Sequence, residues 1–129
     1  SEEMKERNVK VYETKCALYQ PIIENLWDIY EDRKISLDEV KKLFDELCKN
    51  VVLFLDEDKT DKIFEIVKTL TVMATDPSVD QEKEKDDIQE KIFIIINILA
   101  EDIDLGGKLS VNTKSNIKII QDKIFEASK

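Results

Sequence analysis

A chain of 129 residues with 42% apolar and 38% charged side chains has material for one core and carries more charge than an ordinary domain. Two Gly and two Pro exclude the many tight turns of a sandwich or barrel and leave helices. The formal charge of −9 disfavours a polyanionic partner, and the absence of His removes the commonest general base and transition-metal ligand.

The first predicted helix runs from about Glu3 to Glu31. In it Val9, Tyr12, Cys16, Tyr19, Ile23, Leu26 and Tyr30 recur at spacings of three and four, on one stripe. Pro21 falls inside this stripe, which keeps its phase across the proline, so a long first helix kinked near Pro21 is expected rather than a break. Ser36 followed by Glu39 reads as a capping box, opening a second helix with Val40, Phe44, Leu47, Val51 and Phe54 inward. The acidic cluster Asp56, Glu57 and Asp58 then suits the positive end of a third helix, whose stripe is Ile63, Ile66, Val67, Leu70 and Met73.

Thr75 to Asp80, with Pro77 and Ser78, is the clearest loop. The charge-dense stretch Asp80 to Lys91 is expected to open a fourth helix. Its stripe is Ile88, Ile92, Ile95, Ile96, Leu99 and Ile103, widened by Phe93, Ile94 and Ile98, so it should be central and buried. The β-branched run Ile94 to Ile96 lacks the flanking turns and partner a strand would need. Gly106 and Gly107 make a stop, and Ser110 caps a fifth helix with Ile117, Ile120 and Ile124 as its inner face. The fold class expected is all-α: a single bundle of four to five helices, with residues 1–129 as one domain.

Cys16 and Cys48 both fall at apolar helical positions and read as buried thiols in a reducing cytoplasm. The longest apolar run, Ile92 to Ala100 with Asn97 inside it, is too short to span a bilayer, and no signal peptide is visible. An opening on Ser1 rather than Met fits a fragment of a longer chain, with any upstream membrane or targeting segment outside it.

Three stretches place oxygen ligands at calcium-loop spacing: Asp28 to Glu39, Asp56 to Val67 and Asp102 to Thr113. In the first, Tyr30 replaces a ligand and Arg33 stands where Gly should turn the chain. The second lacks Gly and Glu at their required places, and the third ends on Thr113 instead of a bidentate Glu. Helix caps and a helix stop explain the same residues, so no metal, no cofactor and no catalytic residue is expected. Adjacent acids such as Asp86 with Asp87 and Glu101 with Asp102 point about 100° apart on a helix and do not converge. Lys114, Lys118, Lys123 and Lys129 are interrupted by Asp122 and Glu126 and are not interleaved with stacking aromatics, so nucleic acid is not an expected partner.

What remains is a protein-interaction surface. Tyr12, Tyr19, Trp27 and Tyr30 are the candidate interface residues, because Tyr and Trp bring large contact area at low entropic cost; ordinary core duty accounts for each of them as well. The expected function is a non-catalytic helical interaction or scaffold domain in the cytoplasm. Its partner is a protein, with a second copy pairing through the first helix as one candidate. The alternative is an acidic inhibitor, an immunity protein or nucleic-acid mimic, that presents carboxylates to a basic enzyme.

Three stretches carry a family resemblance: Glu6-Arg7 with Tyr12 near the start, Val52-Leu53-Phe54-Leu55-Asp56 in the middle, and Asp102-Ile103-Asp104-Leu105-Gly106 near the end. Together they resemble a loose group of uncharacterised bacterial and phage helical domains that end a buried helix in an Arg-Lys-Asp-Leu-Gly-like stop. The basic pair of that motif is replaced here by Asp102 and Ile103. The resemblance implies a cytoplasmic helical domain, sometimes attached to an upstream membrane segment, and no particular activity.

Overall fold

The computed structural model describes residues 1–103 and 111–128, and every regular element among them is a helix. In chain order these are α1 (Glu2–Asp32), α2 (Leu37–Asn50), α3 (Glu57–Thr75), α4 (Lys85–Asp102) and α5 (Val111–Ala127). The expected stop at Gly106 and Gly107 and the cap at Ser110 lie outside the described residues.

Helix α1 is one element of 31 residues, about 46 Å long at 1.5 Å per residue. Pro21 sits within it on an exposed face, where the missing N–H removes one bond of the ladder. The helix ends at Arg33, whose φ of 62° turns the backbone into the left-handed region usually taken by glycine. The Ser36 capping box then opens α2: the Ser36 hydroxyl accepts from Glu39 N–H, and the Glu39 carboxylate accepts from Ser36 N–H. Asp56 caps α3 in the same sense, accepting from Lys59 N–H at 2.9 Å.

The core forms where α1 packs on α4 and α2, α2 on α3, and α3 on α4. Its fully enclosed side chains include Ile22, Leu26, Leu47, Leu70, Ile92 and Leu99. Helices α3 and α4 bury the stripes expected of them, Met73 and Ile103 being partly buried at the edge. Helices α1 and α2 bury Tyr19, Leu26, Val40, Leu47 and Val51 as expected, but their inner faces differ at three places. Ile22 and Ile29 take the core places assigned to Ile23 and Tyr30, and Leu43 takes that of Phe44, which is half exposed. Val9, expected on the inner stripe, is exposed together with all of residues 1–11. Helix α4 starts at Lys85 rather than near Asp80, because residues 81–84 are spent on turns.

Two further expectations are corrected. Cys16 is only half-buried, and Cys48 is exposed because it lies one residue past Leu47, about 100° round α2 from the core face. Ile117, Ile120 and Ile124 do not form the inner face of α5: all three are exposed, and among the described residues α5 makes no close backbone approach to another helix.

One side chain joins the two ends of the core. Gln81 accepts from Ile35 N–H at 2.9 Å, and its amide nitrogen donates to the carbonyls of Ile35 at 2.8 Å and Met73 at 3.0 Å. It thereby closes the α1–α2 link against the end of α3. Replacing Gln81 by Ala should leave three part-buried backbone groups unpaired and lower unfolding free energy by about 2–4 kcal/mol in urea titrations, without changing the slope of the transition.

Candidate interaction surface

The pairing of α1 with α4 is antiparallel and is fixed at both ends by polar contacts. At one end the Tyr19 hydroxyl donates to Asp102 Oδ2 at 2.8 Å, and Lys15 Nζ lies 3.2 Å from the same oxygen. At the other, the Gln89 amide nitrogen donates to the Tyr30 carbonyl at 2.7 Å. Tyr19 is fully buried, its ring edge-on to Phe54 with centroids 6.5 Å apart, so it serves the core and is withdrawn from the candidate interface set.

Trp27 and Tyr30 behave differently. Both are half-buried, their rings meet edge to face at 5.2 Å, and Phe93 of α4 lies 6.4 Å beyond Tyr30. This aromatic row forms one wall of the space beneath α5. Tyr12, also half-buried, stands apart from the row, toward the start of α1. The structure thus brings together two of the four residues read from the sequence and adds Phe93.

Two clefts open between this wall and α5, of ≈ 480 Å³ and ≈ 610 Å³. Ile23, Trp27, Phe93, Ile94 and Ile96 give apolar lining; Asp86, Glu90 and Glu101 put acidic groups among the lining residues. Helix α5 meets them with the apolar Val111, Ile117 and Phe125 as well as with Lys118, Gln121 and Asp122. Its C-terminal end is held by Arg33, which donates to the Ser128 carbonyl at 2.9 Å and lies 5.8 Å from the centre of the Phe125 ring. Burial raises the Tyr30 phenol above its ordinary value, and the Asp122 charge adds to this while Arg33 opposes it.

The acids read as calcium ligands are placed elsewhere in the fold. Asp28 and Asp32 lie within α1, Ser36 and Glu39 serve the capping box, and Asp56 caps α3. Among the described residues no three metal-binding side chains cluster, and no helix is long and apolar enough to cross a membrane. Comparison with protein-family models, with curated proteins and with solved structures finds no match for this chain.

Burial, then the hydrogen bond to Asp102 and its negative charge, hold the Tyr19 phenol well above its ordinary value of 10.0. The unfolded chain ionises at that ordinary value while the folded chain keeps the proton. Stability from this pair is therefore intact below pH 10.0 and falls as pH rises beyond it. Thermal unfolding followed into the alkaline range should show this fall. The Tyr19→Phe variant should be about 1 kcal/mol less stable at neutral pH and lose less on alkalinisation.

Proposed function

We propose that this chain is a non-catalytic helical interaction domain working in the cytoplasm, in a bacterial or phage setting as its resemblance suggests. Its contact surface is built from the Trp27–Tyr30–Phe93 wall and helix α5. The observation that carries the reading is the outward display of apolar side chains by α5: Ile119, Ile120 and Ile124 stand 49%, 55% and 57% exposed, while Val111, Ile117 and Phe125 line the clefts on its other side. Contiguous exposed apolar surface on a small domain marks a place where something else binds. Tyr12 belongs to the same reading as a peripheral contact.

The arrangement of the helices as one bundle, with a bend at Pro21, is part of the proposal. It is supported by the continuous core shared by α1 to α4 and by the ladder bond that Pro21 cannot make. The half-buried and exposed free thiols suit a reducing compartment.

The second reading, an acidic inhibitor of a basic enzyme, draws on charge: residues 1–103 hold 26 acidic against 15 basic side chains. Salt separates the two. Apolar association should persist or strengthen as salt rises, in sedimentation velocity and in affinity capture. Binding to a basic enzyme should weaken steeply. A strict monomer at high micromolar concentration that captures nothing at either salt level would overturn both.

A further inference from the structure

The cleft of ≈ 480 Å³ beside Tyr30 and Phe93 is rich in acceptors and short of donors. Gln89 lies in its wall, only 4% exposed, and among the described residues its Oε1 has no donor; the Oε1 of Gln121, on the α5 side, is in the same condition. Turning the Gln89 amide over gives no relief, because its nitrogen already donates to the Tyr30 carbonyl and the exchange would set oxygen against oxygen. Three carboxylates, Asp86, Glu90 and Asp122, line the same space against one lysine, Lys118. Unpaired acceptors and an excess of negative charge call for a cation that carries several N–H groups.

The aromatic lining narrows the choice of cation. Tyr30, Phe93 and Phe125 all border the cleft, and aromatic rings receive a guanidinium on their faces. Phe125 already does so for Arg33, whose guanidinium lies 5.8 Å from the ring centre. An ammonium is compact and strongly hydrated, whereas a guanidinium is planar, sheds water more readily and offers a fork of N–H donors to acceptors on two sides.

We propose that this cleft receives an arginine side chain presented by a partner protein, its guanidinium set between the Tyr30–Phe93 rings and the carboxylates of Asp86, Glu90 and Asp122. This rests on the interaction reading above and names the chemistry of its partner. Ile120 and Ile124, next in sequence to Gln121 and Phe125, stand more than half exposed, and a protein covers such apolar surface where a free small cation does not. The two amide oxygens are closed to bulk water, so the guanidinium reaches them as α5 eases away from the wall. Among the described residues α5 makes no close backbone approach that resists this, and its C-terminal end stays tied through Arg33. Enclosure shields the contact from salt more than an exposed ion pair, in keeping with the apolar association above.

The test is an NMR titration of the isotope-labelled full chain with a capped tripeptide, arginine between two leucines, and with its citrulline and glutamate counterparts. The arginine peptide should move the side-chain amide signals of Gln89 and Gln121 and the indole signal of Trp27. It should bind about fivefold or more tightly than the citrulline peptide, and the glutamate peptide should not bind. Glu90→Gln and Asp122→Asn, both at exposed positions, should each weaken it about two- to fivefold without loss of helicity. Equal binding of the arginine and citrulline peptides, shifts confined to other surfaces, or no binding at millimolar peptide would each overturn the proposal. Ethylguanidinium binding as tightly as the peptide would make a free small cation the occupant and overturn it as well. None of these results touches the interaction reading itself, which stands or falls by sedimentation and capture.

Discussion

The antiparallel contact of α1 with α4 governs the rest of the molecule. Ile88, Ile92, Ile95 and Leu99 are wholly removed from water on α4, as are Tyr19, Ile22 and Leu26 on α1. Burying each large aliphatic contributes on the order of 2 kcal/mol, so this seam outweighs any surface ion pair in the chain. Apolar packing alone would tolerate sliding. The Tyr19–Asp102 bond and the Gln89–Tyr30 bond, at opposite ends of the seam, fix the register. Once it is fixed, Trp27, Tyr30 and Phe93 must emerge together on the flank, and that flank is where α5 comes to lie.

Sequence periodicity sees stripes, and stripes located α3 and α4 well because each has one dominant apolar face. It failed where two apolar residues stand side by side. The pairs Ile22-Ile23, Ile29-Tyr30 and Leu43-Phe44 fit either of two helix phases, and only the packing against neighbours chooses between them. That choice moved Tyr30 to the flank and Phe44 to the surface, where Phe44 meets Phe64 edge to face at 6.1 Å. The capping box at Ser36 was legible because it is a local bond pattern. The clamps made by Gln81 and Gln89 were not, since their partners lie far away in sequence and a glutamine in a charged stretch reads as solvated.

Of the interface residues read from aromatic content, Trp27 and Tyr30 share a wall, whereas Tyr19 lies in the core on the stripe that periodicity gave it, with only its Asp102 partner invisible to that pattern. Phe93 was seen only as widening a buried stripe. Helix α5 departs furthest from expectation. Its pattern calls for isoleucines inward, yet Ile120 and Ile124 stand more than half exposed, and the C-terminal end of the helix is held by Arg33 through Ser128 and Phe125. A helix held in this way belongs to the low-stability end of a fold, and such elements are the ones available for binding.

Native-state hydrogen exchange tests this division most directly. The amides of α4 from Ile92 to Leu99 should exchange only through global unfolding, with protection that follows the stability of the whole chain under denaturant. The amides of α5 should exchange through a much smaller opening that denaturant barely affects in the single-copy state. Equal protection of α5 and α4 in a strict monomer would mean that the isoleucine stripe is buried in its own fold, and would contradict the account.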